Sequence, residues 1–240
     1  MSLVFEITSD LAMFRKGYTT TSMVSYPFIP PTAVAGIIGA ITGLDNGAGD
    51  IAYGARFWNE MKGTQVAITI CSPISWYVTA VNLIKFKSGS GDMGEHIQPK
   101  HQFLKKPCYR IYIRNGEIYE KLKMRLKNDE FVFTPYLGVA YAIASVRYLG
   151  EFEDKEIDEY PVGVNSVVPL TGNLDIDVFK SRTIHKELIP LKQDIERTVL
   201  KSVPVLYNGR GKKGVVYVRK RGELELSKVG DDVVAWFEPW

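Results

Sequence analysis

The sequence predicts an α+β fold in which strands outnumber helices. Strand-like alternation of apolar and polar residues occurs in Leu3–Thr8 and Pro107–Arg114, and residues 65–86 form a long run rich in Val, Ile, Tyr and Thr. The small apolar residues of Ala33–Leu44 favour a helix instead. After the acidic stretch at residues 151–159, the chain consists of short β-rich pieces separated by prolines. We therefore expect strands throughout the chain and a helix near its beginning.

Length and composition indicate a soluble globular protein. The 240 residues are 45% hydrophobic and 24% charged, and no apolar run approaches the roughly 20 residues needed to cross a bilayer. Residues 1–10 lack the basic region, apolar core and cleavage site of a secretory signal. Cys71 and Cys108 form no CxxC motif, which argues against a disulfide framework and a cysteine zinc site. We predict a cytoplasmic protein with no membrane partner.

The segment around the first predicted helix contains prolines and glycines in unusual number. Residues 11–29 have no regular pattern, and Pro30-Pro31-Thr32 follows them. Proline is tolerated in the first turn of a helix, and Thr32 is the expected N-cap. Gly36 and Gly39 would weaken an isolated helix, so we expect another group to pack very close to this one.

The middle of the chain contains a long insert. Residues 65–86 are predicted to form one or two strands, and Lys87–Lys106 is predicted to be a protruding hairpin or a mobile loop because it is rich in glycine, serine and cations. Asn115-Gly116 is a strong signal for a hairpin turn. Glu117–Lys127 is predicted to be a short amphipathic helix.

The net charge of +3 conceals an uneven distribution of charge. Residues 85–127 contain 11 basic and 4 acidic side chains, and residues 201–221 contain 7 basic and no acidic ones. Six acidic residues lie within residues 151–159. Such separation is typical of a protein with a polyanion on one surface and a different partner on another, although two ordinary solvated basic faces would produce the same counts.

One glycine-rich motif suggests phosphate contacts without a dinucleotide fold. Gly209–Gly214 matches GxGxxG, but a strand-like segment follows it where a dinucleotide-binding fold requires a helix. We predict instead a basic hairpin tip, with Arg210 and Lys212 placed to touch phosphates. Neighbouring rings and cations, such as Tyr109-Arg110, suit single-stranded nucleic acid, although most single rings would fill a core.

The histidines offer a possible catalytic set. His96 and His101 lie in the insert at a spacing that fits no zinc motif. They would suit acid–base cleavage of RNA, with Lys100 or Lys105 stabilising charge on the phosphate. The simpler interpretation is a basic loop near a polyanion, and we predict no catalytic residue, no metal and no cofactor.

The N-terminal block resembles a known family. Its pattern is Phe14-Arg15-Lys16, Tyr18-Thr19-Thr20-Thr21-Ser22, Tyr26-Pro27-Phe28, Pro30-Pro31-Thr32-Ala33, and a glycine-spaced helix from Gly36 to Gly43. This block resembles the opening of CRISPR-associated family five, a branch of the repeat-associated RNA-binding superfamily, and looks most like subtype I-B. Pro135-Tyr136-Leu137-Gly138 resembles a second, weaker signature of the family.

The resemblance implies a fold and a set of partners. It implies a ferredoxin-like, RRM-like domain at residues 1–155 with a thumb hairpin at about residues 87–106, followed by a smaller β-rich domain at residues 156–240. It also implies a subunit of a type I Cascade complex that caps the 5′ handle of the crRNA. The thumb would touch the Cascade backbone subunit, another surface would contact the large subunit, and target DNA would be met only through the assembled complex.

The resemblance, the basic segments and the aromatic–cation pairs together define the candidate RNA contacts. Helix starts bind phosphates, hydroxyls donate to phosphates and 2′-OH groups, and glycines allow close approach. The alternative is a metal-independent endoribonuclease that processes precursor crRNA, as the related subtype I-C protein does. The candidate RNA-contacting residues are Arg15, Lys16, Tyr18, Thr20, Thr21, Ser22, Pro31, Thr32, Ala33, Gly36, Lys87, His96, Lys100, His101, Phe103, Lys105, Lys106, Arg110, Gly138, Arg210 and Lys212.

Overall fold

The computed structural model describes residues 1–19, 22–47, 54–86 and 93–240, and it confirms the predicted α+β fold. The helices are α1 (Pro31–Thr42), α2 (Phe57–Glu60), α3 (Tyr119–Asn128) and α4 (Val178–Ser181). The strands are β1 (Ser2–Thr8), β2 (Leu11–Ala12), β3 (Gln65–Ile70), β4 (Trp76–Ala80), β5 (Leu83–Phe86), β6 (Met93–Ile97), β7 (Lys100–Lys105), β8 (Cys108–Arg114), β9 (Ser145–Phe152), β10 (Asp154–Lys155), β11 (Val162–Val164), β12 (Val168–Pro169), β13 (Asp175–Ile176), β14 (His185–Gln193), β15 (Val199–Tyr207), β16 (Val216–Lys220), β17 (Leu226–Val229) and β18 (Asp232–Ala235).

A four-stranded antiparallel sheet in the order β3-β8-β1-β9 organises the core. Alternate residues of β1 point to opposite faces, so Phe5 joins the core beneath the helices while Val4 joins a second cluster with Trp236. Ile38 of α1 is fully buried in the first cluster. Each fully buried apolar side chain contributes about 1.5–3 kcal/mol to the stability of the fold. Because both faces of the sheet carry such side chains, packing on both faces stabilises it.

Helix α1 begins differently from the prediction. Its N-cap is Pro30, no side chain caps it, and Thr32 is its second residue, so the predicted Thr32 cap is wrong. Pro31 has a φ angle suited to the first turn and no N–H to satisfy, so the helix starts without a cap. A Cβ on Gly39 would lie 3.5 Å from the Phe57 side chain, an ordinary contact distance, and a Cβ on Gly36 would meet open space, so neither position requires glycine for close packing.

The predicted insert contains more regular structure than the sequence suggested. Strand β7 pairs with β4 and β2, and β5 pairs with β6, so the ribbon begins at Trp76 rather than at Lys87. Residues 87–92, including Lys87, lie outside the described residues. The β4 end of the ribbon is largely exposed, whereas β7 is anchored by buried residues such as Leu104.

Three smaller sheets complete the chain, in the orders β10-β17-β18, β11-β16-β13 and β12-β15-β14. The chain then returns to the first sheet. The Phe237 N–H donates to the Val66 carbonyl at 3.0 Å, and Trp240 packs edge-on against Trp58. The larger core cluster therefore contains residues from both sides of position 155, and the boundary there stays a prediction.

Two predicted hairpin turns have other roles. Asn115 and Gly116 do adopt positive φ, but the chain continues into α3 rather than into a second strand. The motif Gly209–Gly214 is not a hairpin tip, because β15 and β16 belong to different sheets. It forms a 3₁₀ turn at Gly211–Lys213 that packs against residues 71–74. None of the helices in the described residues has the length and apolarity needed to cross a membrane.

A charged cluster lies on β1 and β8. Glu6 is ion-paired with Arg110 at 2.7 Å, with Arg147, and with Lys212 at 3.5 Å, and Arg110 also pairs with Asp232 at 2.6 Å. Burial alone would raise the pKa of Glu6, but hydrogen bonds from Arg110 and Arg147 outweigh it and lower that pKa to about 2.

We expect the Glu6 carboxylate to make folding acid-sensitive. Because its pKa is lower in the folded state, its contribution is complete above the ordinary value of 4.5 and is lost as the pH falls from there towards about 2. Glu6→Gln should lower the free energy of unfolding by about 2–3 kcal/mol at pH 7 and by much less at about pH 3, as measured by urea denaturation. Glu153→Gln, at an exposed position, is the control. An equal effect of Glu6→Gln at both pH values would contradict this assignment.

Candidate nucleic-acid interface

A groove of about 370 Å³ lies between the first turns of α1 and the segment that contains Gly138. Thr32, Ala33 and Gly36 line one side of it, and Tyr136 and Gly138 line the other. The two motif segments are about 100 residues apart in the sequence, yet both border this one groove. We call it the α1 groove.

Backbone contacts hold the second wall in place. Phe133 donates its N–H to the Ala40 carbonyl at 3.0 Å, which ties the segment to α1, and Leu137 is fully buried. Gly138 has a φ of +85°, and a Cβ there would lie 2.1 Å from the Met13 carbonyl oxygen. Only glycine fits, because any side chain would push this wall away from residues 13–14.

The α1 groove combines features that suit a phosphate and a base. The start of α1 has no side-chain cap and no acidic residue in its first turn, so its positive dipole end is not neutralised locally. Arg197 lines the groove as an exposed cation, and its guanidinium also donates to the Asn46 carbonyl at 2.8 Å. The rings of Phe133 and Tyr136 are 57% and 44% exposed, which leaves their faces open for stacking.

Residues 14–19 and 22–26 form the two arms of an irregular hairpin beside the sheet (the 14–26 hairpin). Lys16 and Tyr26 donate backbone N–H groups to Val24 and Phe14, both at 2.8 Å. The tip presents Tyr18, which is 74% exposed, and Ser22. Thr20 and Thr21 lie outside the described residues. Arg15 is exposed and donates to the Thr19 carbonyl at 2.8 Å, which shapes the tip.

Lys16 has an internal partner. Its Nζ lies 2.7 Å from the Glu187 carboxylate and 5.3 Å from the centre of the Tyr26 ring, and its side chain is only 12% exposed. Burial would lower the pKa of Lys16, but the hydrogen bond and charge of Glu187 outweigh it and raise that pKa. The Lys16 charge is therefore neutralised within the chain, and its contact with RNA stays a prediction.

The ribbon residues divide into buried and exposed groups. His101 and Phe103 are each 3% exposed and stack on one another at 5.8 Å, so their predicted contact with RNA does not fit their burial. His96 and Lys100 are exposed, as are Lys105 and Lys106. Backbone hydrogen bonds of Met23 with Lys100 and Gln102 bring Lys100 beside the 14–26 hairpin.

Three candidate cations lie apart from the α1 groove. Arg110 is held between the carboxylates of Glu6 and Asp232, so its charge has partners within the chain, and its contact with RNA stays a prediction. Lys212 belongs to the same cluster, although its side chain is 58% exposed. Arg210 is exposed and lines a different cavity.

Sequence reasoning missed Phe133, Tyr136 and Arg197 as contact candidates. Tyr136 was within reach, because it stands inside the second motif. Arg197 carries no local signal, since the β14–β15 hairpin brings it to α1 from far along the chain. Among the described residues, no three His, Cys, Asp or Glu side chains cluster so that they could hold a metal, and both cysteines are free.

Three solved structures share this fold at low sequence identity. The first, a chain titled a CRISPR RNA-guided surveillance complex, is 11% identical with a TM-score of 0.56, and the match covers 91% of this chain and 90% of that one. A CRISPR protein from Archaeoglobus fulgidus is 14% identical with a TM-score of 0.55, and the match covers 100% of both chains. A chain of type III-B Cmr-β bound to cognate target RNA and AMPPnP is 15% identical with a TM-score of 0.52, over 89% of this chain and 86% of that one.

The sequence itself identifies the family. No curated protein matches this chain. The family model described as CRISPR-associated protein (Cas_Cas5) matches residues 2–169, which include the 14–26 hairpin, α1 and the motif at Gly138. With most of its length covered by that model, the chain belongs to the CRISPR-associated Cas5 family.

Proposed function

We propose that this chain is a non-catalytic subunit of a type I CRISPR surveillance complex, of subtype I-B, that binds the 5′ handle of the crRNA in the α1 groove. The observation that carries the proposal is the meeting of two distant motifs, at Thr32 and Gly138, around the uncapped start of α1. Such a helix start attracts phosphate through its dipole, whose positive end has no acidic side chain in the first turn. Exposed rings beside it offer stacking surfaces for bases.

The exposed ribbon and the family support the protein partners that we propose. Tyr77 and Val78 of β4 are 48% and 58% exposed, and exposed apolar side chains of this kind mark the ribbon as an interaction surface. We assign this surface to the Cascade backbone subunit. The large subunit would contact the chain elsewhere, and target DNA would be reached only through the assembled complex.

The endoribonuclease alternative gains no support from the site geometry. His101 is buried and its Nδ1 lies 3.1 Å from the Pro99 carbonyl oxygen, whereas His96 is exposed on β6. An acid–base pair needs both side chains within reach of one phosphate. Binding without cleavage is therefore the function that we propose.

We expect RNA that carries a repeat-derived 5′ handle to bind at the α1 groove. Thr32→Glu should weaken binding about tenfold or more, because it adds negative charge at the helix start. Met124→Glu adds the same charge on the exposed face of α3 and should leave affinity unchanged. Filter binding over a salt series should give a slope of about −0.7 per contacted phosphate. Affinity that is insensitive to salt, or equal losses in both variants, would contradict the proposal.

We expect precursor crRNA to stay intact in the presence of this protein. Labelled precursor should show no specific product on a denaturing gel, with or without divalent metal. Site-specific cleavage that His96→Ala abolishes, while the melting temperature of that variant stays at the wild-type value, would establish the endoribonuclease instead.

We expect the outer ribbon to be needed for assembly but not for folding. Residues 82–98 extend beyond the β4–β7 pairing, so replacement by a short Gly-Ser turn should leave the melting temperature nearly unchanged. The shortened protein should fail to co-purify with crRNA and the backbone subunit. By contrast, Phe103→Ala should cost about 3–5 kcal/mol of stability, because that ring is buried. Normal assembly of the shortened protein would rule out this role for the ribbon.

A further inference from the structure

A second cavity of about 370 Å³ lies at the root of the ribbon, and no role has been assigned to it above. Trp76, His185, Tyr207 and Arg210 contribute to its walls. His185 and Gln193 are the two ends of β14, and Gln193 borders the α1 groove. At about 3.3 Å per residue, the strand separates the two sites by roughly 26 Å.

Aromatic side chains from separate parts of the chain line this cavity. Trp76 is 40% exposed, whereas the other three tryptophans are each 7% exposed or less. Tyr207 also lines the cavity; it is 8% exposed and stacks on His185 with a centroid distance of 5.3 Å and an interplanar angle of 28°. Phe28 supports Tyr207 from behind at 5.1 Å. The Tyr207 side chain is therefore tightly packed, whereas Trp76 presents an exposed indole.

The loop that carries Arg210 is held firmly in place. Ile74 donates its N–H to the Gly209 carbonyl at 2.9 Å, which joins the loop to the ribbon root. Asn208 is 9% exposed; its Oδ1 accepts from the Arg210 N–H at 3.2 Å and its Nδ2 donates to the Ser181 carbonyl at 3.3 Å. The three segments around the cavity are thus bound to each other, so the cavity is already formed in the free chain.

The cation at the rim is available to a ligand. Arg210 is exposed, and it forms no ion pair with any carboxylate in the described part of the chain. Lys212, two residues along, is committed to Glu6 at 3.5 Å, so it does not replace Arg210 at this rim. Burial raises the pKa of Tyr207 to about 12, and its hydroxyl therefore remains a hydrogen-bond donor at neutral pH.

We propose that this cavity binds one unstacked nucleobase of single-stranded RNA, with the base held between Trp76 and the Tyr207–His185 wall and the adjacent phosphate paired with Arg210. Aromatic rings and an exposed cation that line one cavity provide the stacking and phosphate contacts by which proteins hold single strands. The cavity volume falls in the range of small-ligand sites. The proposal rests on the RNA-binding function above and adds a second contact point, at the far end of β14 from the α1 groove.

Tryptophan fluorescence provides a direct test, because Trp76 is the one exposed tryptophan of the four. The probe is a single-stranded RNA of about 12 nucleotides, within the usual site sizes for such proteins. Binding to the wild-type protein should quench the emission. A series of RNAs with one abasic site each should lose the quenching at a single position. Trp76→Phe should keep the affinity and lose the quenching.

Two further variants measure the energetics of the pocket. Trp76→Ala should weaken binding roughly 5- to 150-fold, which corresponds to the loss of about one stacked base. Arg210→Gln should reduce the salt slope by about 0.7, which corresponds to one phosphate contact. Both melting temperatures should stay near the wild-type value, because both side chains are exposed. Lys228→Gln, at an exposed position on β17, is the matched control for Arg210→Gln.

The outcomes separate this proposal from the proposed function. RNA that binds the wild-type protein without quenching, and binds Trp76→Ala with equal affinity, overturns the base pocket and leaves the α1 groove intact. Quenching that persists at saturating RNA in Thr32→Glu supports a pocket separate from that groove. If the wild-type protein binds no RNA, the proposed function fails and the pocket fails with it. Quenching that is lost at no abasic position would indicate a contact with the backbone alone and would also overturn the proposal.

Discussion

Strand β1 pairs with β8 on one side and with β9 on the other, and its side chains are buried on both faces of the sheet. This central position determines where the other elements lie. Phe5 and its alternate neighbours form the surface on which α1 packs, while Val4 faces the layer that contains Trp236. The start of α1 depends on this packing, since the helix has no side-chain cap of its own. The α1 groove is therefore a consequence of how the sheet is buried.

The distribution of cations in space differs from their distribution in the sequence. Residues 85–127 have a large basic excess, yet Arg110 is held by Glu6 and Asp232, and Arg114 stacks on Trp236 at 4.1 Å and pairs with Glu225. These cations join the sheet to the β17–β18 layer. The cations that stay available, such as Arg210, are those that have no acidic neighbour in the fold. A charge count thus suggests a polyanion partner but does not locate its surface.

Strand β14 connects the features that we assign to RNA. One of its ends borders the α1 groove, the other borders the ribbon-root cavity, and Glu187 between them neutralises Lys16 of the 14–26 hairpin. Strand β14 pairs with β15 along its length, with register irregularities between Pro190 and Gln193, so the two cavities lie at opposite ends of one paired strand. A nucleic acid that occupies both cavities would have to span the length of β14, so the chain would hold it at two points.

Local chemistry predicted the positions of two helices well. The helix at Tyr119–Asn128 lies within two residues of its predicted bounds, and proline in the first turn located the start of α1 to within two residues. The Thr32 cap was wrong, because Pro31 starts the helix without a side-chain cap. The burial of Phe103, which β7 carries into the interior, was not foreseen. Whether a strand residue is buried depends on which element packs against it, and the local sequence pattern does not show which element that is.

The sequence by itself determined the α+β class, the position of α1 and the two motifs that mark the family, because these follow from backbone preferences and residue types that act over a few positions. Only the tertiary structure decided that Thr32 and Gly138 share a groove, that Lys16 and Arg110 are neutralised internally, and that Trp76 and Tyr207 line one cavity. Each of these depends on contacts between residues more than 100 positions apart. Such contacts form when the sheets pack together, and the free energy that stabilises them comes from the whole core rather than from any one segment.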